Sequence, residues 1–442
     1  MILMNKNQEF PKVTISVINY NDRKFIFQAI ESAVNQSYPN LEIIITDNNS
    51  TDGTREEIGE RIAEWKEIRK SQKGSSQEDG SNDGDKIGDE NNANEEIPPN
   101  PPFSKGGINK ILSLDKEGQR VVKKDKFIKY IRNSENTGFG RPHNEAMRTM
   151  KGDFILLLNS DAILTPDYVK NAIKPFQDLK VGAVQGKLLR YDFDRSELCK
   201  NKENPELNII DTTGLMMLKN RRIVCVGQGQ ADEGQFEKET EVFGVDGAVP
   251  VYRKEALEDI KLEIIKPLTS TLSQKAREPK DKIHNSQFTI HNSTFEYFDE
   301  NFFMYKEDVD LAWRLRLSGW KTIYTPQAVA YHGRGSGDSM AKNYLDIIRE
   351  RRKINKKAKF FSFKHQRLMQ IKNDFPSLLF TKHLPRFIIK EVGAWVYMMI
   401  FERFTLRILK DLYHDVPLFL KKRKMVMAKK KISVKEMERW FE

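Results

Sequence analysis

Three short apolar runs limit what this chain can fold into. VTISVI (13–18), LEIIIT (41–46) and FILLL (154–158) are mostly β-branched or aliphatic, and each gives way to Asn or Asp. Runs of that length, bounded by polar turns, read as fully buried strands. Between the first two, Ala29, Ile30, Ala33 and Val34 fall at helical spacing, with Asp22 placed as an N-cap. After the second, Ile58, Ile62 and Trp65 mark one face of another helix. FIKYIR (127–132) continues the strand series, a helix is expected from about Arg141 to Met150, and Pro166 is placed to open the next. Strands that alternate with helices and lack a polar face predict an α/β fold with a mostly parallel sheet flanked by helices.

The same periodicity extends to residue 332. Residues 181–189 read as a strand, 209–226 as a hairpin-like region, and Arg253 to Leu257 as a helix start. Val309, Ala312, Trp313 and Leu317 give a strong helical stripe that Gly319 ends. KTIYT and then Ala328 to Tyr331 lead to His332. Two stretches break the pattern. Residues of about 70–122 are rich in Ser, Gly, Asn, Asp, Glu and Pro, too polar to offset their chain entropy, and read as a disordered surface insertion. A second insertion spans about 261–293.

Charge divides the chain. The net charge is +11, but residues 342–442 hold 26 Lys and Arg against 10 Asp and Glu, a net of +16. The remaining 48 basic and 53 acidic residues leave 1–341 at −5. A nucleic-acid binder driven by overall basicity is therefore not expected. Cys199 and Cys225 are too few for a disulfide scaffold or a four-thiolate zinc site. The opening MILMNKNQEFPK has too short an apolar run for a signal peptide, so the cytoplasm is the expected compartment.

Acidic residues close the apolar elements. Asp47 follows LEIIIT, Asp161 follows FILLLNS, and Glu307, Asp308 and Asp310 open the helix after FDENFFMYK. Each alone is better explained as a helix cap or a favourable charge at a helix N-terminus. Together they describe a cleft at the carboxyl ends of parallel strands, where open α/β sheets bind ligands. Asp310 has the spacing to pair with Arg314, and Arg314 and Arg316 divide between a phosphate contact and a solvated face.

The runs VTISVINYND, LEIIITDNNSTDGT, NTGFGRPHNEAM, FILLLNSDAILTPDYV, VDGAVPVYRKEAL and FDENFFMYKEDVDLAWRLRLSGW resemble family 2 glycosyltransferases, in the rhamnosyltransferase-like branch of cell-surface polysaccharide synthesis. The resemblance covers roughly 11–69 and 125–341. It implies a GT-A fold and inverting transfer of a sugar, rhamnose among the candidates, from a nucleotide-diphosphate donor to a hydroxyl of a glycan or lipid-linked acceptor. On that resemblance Asn19, Asp47, Asn136, Gly138, Asn144 and Asn159 fall on the nucleotide side. Asp161 matches the last position of the family's DxD motif, with Asn159 in the first, and His332 matches a second metal or phosphate contact. They imply a divalent cation, Mg or Mn, whose affinity the Asn159 substitution lowers. Asp308 matches the general base, Glu307 is its alternative, and Asp246 and Gly247 fall on the acceptor side.

The basic region 342–442 is expected to be helical and amphipathic. Val392 to Phe401 form an apolar run of ten residues, short of the roughly 20 that cross a membrane. With Lys421–Lys424 and Lys429–Lys431 nearby, an anionic membrane surface on the cytoplasmic side is one partner. A solvated helical appendage or an oligomer contact are the others. Competing functions are a sugar nucleotidyltransferase, which would want a glycine-rich basic phosphate loop that VTISVINYND lacks, and a basic binding protein without catalysis.

Overall fold

The structure is a computed structural model that describes residues 10–74, 113–114, 120–121, 127–264, 295–334 and 344–442. The apolar runs are strands: β1 (Val13–Asn19), β2 (Leu41–Asp47), β3 (Phe127–Arg132) and β4 (Phe154–Leu158). They lie parallel in the order β3-β2-β1-β4, with helices α1 (Ile26–Val34), α2 (Thr54–Gly74) and α3 (Gly140–Thr149) between them in sequence. The strand order reverses between β1 and β4, so a crevice opens at the carboxyl ends of these two strands. β1, β2 and β4 are almost wholly buried, and the polar residues within them are paired there, Thr14 Oγ1 donating to Glu42 Oε2 at 2.8 Å and Ser16 Oγ meeting His143 Nδ1 at 2.9 Å.

Beyond β4 the sheet turns mixed. A short strand β5 (Ala162–Leu164) and a helix α4 (Tyr168–Ala172) lead to β6 (Val181–Asp192). The hairpin region supplies β7 (Ile210–Thr212), against β6, and the antiparallel pair β8 (Leu215–Met217) and β9 (Ile223–Cys225). β10 (Val251–Arg253) fills the gap between β4 and β6, antiparallel to both. Helix α5 (Lys254–Ile260) follows, then α6 (Glu307–Leu317), and β11 (Lys321–His332), parallel to β6. Gly319 takes φ +82°, the left-handed turn that stops α6.

Some local expectations are corrected. The Asp22 carboxylate does not cap α1; Asp22 holds that helix through its carbonyl, and its side chain accepts from Ser160 Oγ at 2.5 Å. Pro166 precedes α4 by two residues rather than opening it. Arg314 and Arg316 are 2% and 3% exposed, neither solvated nor open to phosphate. Arg314 pairs with Asp310 as its spacing predicts and reaches the carbonyls of Ile260 and Tyr297. Arg316 serves the carbonyls of Phe243 and Val242. Most of the 70–122 insertion lies outside the described residues, as does the side chain of Trp65; Ser113–Leu114 pairs with Arg120–Val121. The second insertion lies outside them over 265–294, and its flanks Leu262–Glu263 and Phe295–Glu296 pair antiparallel.

The basic region is helical: α7 (Tyr344–Lys353), α8 (Lys356–Asn373), α9 (Leu384–Phe401), α10 (Ile408–Ala428) and α11 (Val434–Glu438). It is not a solvated appendage. Leu368 and Met369 of α8, Phe419 of α10, Met437 and Phe441 share one core with Trp313 of α6, Phe302, Leu215 and Met217. Lys372 Nζ lies 2.5 Å from Asp299 and 2.8 Å from Asp310, all three fully buried. Lys422 meets Glu296 at 2.5 Å and also Asp299. Among the described residues no helix is long and apolar enough to cross a membrane.

Candidate active site

The carboxyl ends of β1 and β2 lie side by side, Asn19 in register with Asp47. Both side chains are fully buried. Asp47 Oδ1 accepts from Asn19 Nδ2 at 2.9 Å, and its Oδ2 accepts from the Ser50 backbone N–H at 3.1 Å. Asn19 Nδ2 also reaches Ser50 Oγ and Thr54 Oγ1, while Asn19 Oδ1 is buried without a partner. This pair braces the loop that leads into α2. Buried acceptors are normally satisfied, so the orphan at Asn19 marks a place where a donor belongs.

The second loop is tied to the first. Asn136 Oδ1 accepts from Gly138 N–H at 2.9 Å and from Asn48 Nδ2 at 3.0 Å. Gly138 sits at φ +83°, and a Cβ there would lie 2.1 Å from the Phe303 carbonyl oxygen, so only glycine lets the segment before α6 approach. Asn144, expected on the nucleotide side, is turned to the backbone before α6. Its Nδ2 donates to Phe298 O and Glu300 Oε1, and its Oδ1 accepts from the N–H groups of Tyr297 and Phe298. All four hydrogen-bonding positions of the amide are used, so it clamps the 297–300 backbone instead.

Beyond β4, Asn159 is half-buried and Asp161 faces His332 across 3.4 Å, Oδ1 to Nε2. The other ring nitrogen of His332 meets Asp211 Oδ2 at 2.8 Å. Asp211 is fully buried and also accepts from Arg334 Nε at 2.5 Å. Burial alone would raise the Asp211 carboxyl, but His332 and Arg334 hold it well below the usual carboxylate range. Burial would likewise depress His332; Asp161 and Asp211 outweigh it and push the ring up to about 10. Arg334 continues the chain to Asp246 at 3.5 Å. Asp22, beside Ser160 at this end of the crevice, is raised by burial and by the charge of Asp161.

On the far side of Asp246, Gly247 brings the backbone against the base candidate. A Cβ at Gly247 would lie 3.4 Å from Asp308 Cβ and 3.6 Å from its Oδ2. Asp308 is half-buried at the first turn of α6. Burial and then the charge of Asp246 push its carboxyl up to about 6. Glu307 is 7% exposed and its Oε2 has no partner; burial and the Asp308 charge push it up to about 8. Carboxyls raised in this way are stronger bases than free ones.

The turn that aims α6 is strained. Tyr305 and Lys306 are both left-handed, at φ 67° and 78°, conformations that cost non-glycine residues of order 1–3 kcal/mol each. His365 of α8 holds that corner, its Nδ1 within 2.9 Å of the Met304 carbonyl and 3.1 Å of that of Tyr305. Burial lowers the His365 ring to about 4, so it is neutral and donates from Nδ1. Sequence reasoning missed Asp211, Arg334 and His365, although Arg334 stands two residues from His332 in a glycine-rich run.

Among the described residues no group of three or more His, Cys, Asp and Glu gathers as a metal site. Asp161 supplies one carboxylate, and the His332 ring, held protonated between Asp161 and Asp211, would ligate only by losing its Nε2 proton as the cation binds. Such a donor set fits a hard divalent cation that takes its other ligands from water and diphosphate oxygens.

The chain matches the sequence profile of "Glycosyltransferase like family 2" over residues 119–353 and that of "Glycosyl transferase family 2" over 14–76. The first covers more than half of the chain. The protein belongs to glycosyltransferase family 2, and its sheet and flanking helices are those of a GT-A fold. Over 58 residues it is 43% identical to TuaG of Bacillus subtilis strain 168, named as a teichuronic acid biosynthesis glycosyltransferase. That match spans 12% of this chain and 23% of TuaG. Among solved structures, a mannosyltransferase of Pyrobaculum calidifontis with GDP-Man and Mn2+ aligns at TM-score 0.41 and 13% identity, over 95% of this chain and 86% of that one. S. aureus TarS 1-349 with UDP-GlcNAc aligns at 0.43 and 12%, over 94% and 90%.

Proposed function

We propose that this protein is an inverting glycosyltransferase that moves a sugar from a nucleotide-diphosphate donor to a hydroxyl of a cell-surface glycan or its lipid-linked precursor. The observation that carries the reading is one continuous line of contacts. It runs from Asp161 through His332, Asp211 and Arg334 to Asp246, and Gly247 then abuts Asp308. A charge-neutralising end and a basic end thus sit in one rigid network, as displacement of a diphosphate by a hydroxyl requires.

Asp308 takes the proton from the acceptor hydroxyl as its oxygen bonds to the anomeric carbon. The carbon–oxygen bond to the diphosphate breaks on the opposite face, which inverts the centre. Burial and the charge of Asp246 keep Asp308 basic, and Glu307 is buried behind it. Asp161 and His332 would hold a divalent cation, which supplies neutralisation of the departing diphosphate. Asn19, Asp47, Asn136, Gly138 and Asn159 shape the nucleotide side, and Asp246 and Gly247 the acceptor side. The name of TuaG supports a cell-wall polymer as acceptor, and the quoted motifs support the rhamnosyltransferase-like branch.

The test is nucleoside-diphosphate release from a panel of nucleotide sugars, with and without divalent cation, using cell-wall glycan acceptors. Asp308→Asn should abolish transfer while leaving donor affinity within about twofold of wild type, since it removes only an interaction made in the transition state. Near-normal turnover in that variant would remove Asp308 from the role of base.

A further inference from the structure

α9 is built inside out for a helix on a protein surface. Its solvent face carries Ile388, Ile389, Val392, Val396, Met399 and Ile400, with Ile389 61% and Ile400 58% exposed. These positions repeat at helical spacing and form one apolar stripe along the helix. Lys390 and Glu391 turn the other way. Glu391 pairs with Lys390 and with Arg367 of α8, the latter at 2.6 Å, and is 14% exposed. Glu402, just past the helix end, is 3% exposed and meets Arg351 at 2.6 Å and Lys359 at 3.4 Å. Trp395, on the inner side, packs edge-on against Phe363. Exposed cations flank the stripe in sequence, Arg386 before it and Arg403 and Lys410 after it.

An apolar stripe of this length on a monomer asks for a partner. A second copy of the chain is a poor one. Antiparallel packing of two such helices would bring Arg386 of one against Arg403 of the other, with the helix's own carboxylates already spent on inward ion pairs. A bilayer with anionic headgroups satisfies both features. The stripe enters the acyl boundary and the flanking cations meet the headgroups, each worth about 1 kcal/mol. The helix is not of a kind that crosses the membrane, so it lies in the plane.

We propose that this face of α9 is the docking surface of the protein for an anionic lipid bilayer, with Ile389, Val392, Val396 and Ile400 at the acyl boundary and Arg386, Arg403 and Lys410 at the headgroups. α8 lies directly behind α9 through Arg367 and Glu391, and His365, two residues from Arg367, holds the corner that aims Asp308. Docking therefore sets the base end of the site close behind the membrane-facing helix, the side from which a lipid-linked hydroxyl arrives. The binding claim itself does not depend on the chemistry of the site.

The test is co-sedimentation of the full chain with vesicles of phosphatidylcholine alone or mixed with phosphatidylglycerol. Binding is expected to the mixed vesicles, and to weaken with added salt. Ile389→Asp combined with Val396→Asp should lower that affinity at least about tenfold, with thermal unfolding and nucleoside-diphosphate affinity unchanged. If that pair misfolds, Val396→Trp serves instead, its emission shifting to the blue on mixed vesicles. No binding to mixed vesicles, equal binding to both vesicle types, or no emission shift overturns the proposal. A wild-type dimer in sedimentation velocity that the double variant dissociates, without vesicle binding, assigns the face to a second copy instead.

Discussion

Asp211 joins His332 to Arg334 without being exposed itself, and in the proposed function it is the group that would orient His332 toward a cation. A histidine ligand is oriented by what its second nitrogen touches, and loss of that partner typically lowers metal affinity about 10–100-fold. Asp211→Asn keeps the volume and removes the charge that draws both cations. Its Mn2+ affinity, measured by calorimetry with nucleoside diphosphate present, should fall by about that factor, with little change in nucleotide affinity when metal is absent. An unchanged Mn2+ affinity would mean that His332 is held without it. Asp161 stands where an apolar run ends and Asp308 where a helical stripe begins, so both were candidates from the sequence. Asp211 was not, because its histidine lies 121 residues away and nothing local distinguishes it from a turn residue. Asn144 shows the converse. Its residue type suited a nucleotide, but the backbone it clamps is 154 residues distant.

Strands and helices were easier to read than the segments that join them. β1, β2 and β4 announce themselves because burial on both faces keeps them mostly apolar and bounded by polar turns. The segment Tyr297–Lys306 carries no such pattern, yet it decides where α6 begins. Asn144 of α3 grips its start, and His365 of α8 grips its strained end at Tyr305. Left-handed Tyr305 and Lys306 are tolerated only while those contacts hold. His365→Ala should relax the corner and displace Asp308 relative to the acceptor. A misplacement of about 1 Å costs up to about 100-fold in rate, so kcat should fall by roughly 10–100-fold while KM for the donor changes little. Equal loss in both constants, or none in either, would show that the histidine serves packing alone.

At the scale of the whole molecule, charge and packing divide the chain differently. The division at about 341 is sharp in charge, −5 against +16, and was legible by counting. Packing ignores it. Several cations behind the +16 are not available to any partner: Lys372 and Lys422 are buried against Asp299, Asp310 and Glu296, acids of the catalytic body. Removal of Lys422 would leave Glu296 buried without a counter-charge, a loss of about 3–5 kcal/mol, whereas without Lys372 Asp299 keeps Lys422 and Asp310 keeps Arg314 at a smaller loss. The apolar contribution is larger. Leu368, Met369, Phe375, Phe419, Met437 and Phe441 complete the core around Trp313 and Phe302. At about 1.5–3 kcal/mol for each buried side chain, their sum rivals the whole stability of a typical domain, about 5–15 kcal/mol. A chain ending at residue 341 should therefore fail to unfold cooperatively in a thermal melt followed by circular dichroism, and should lose nucleoside-diphosphate binding with it. Lys372→Met in the full chain tests the electrostatic part separately, and should lower the melting temperature without abolishing the transition. A truncated chain that melts cooperatively near the wild-type temperature would return the basic region to the role of an appendage and leave His365 without a claim on the site.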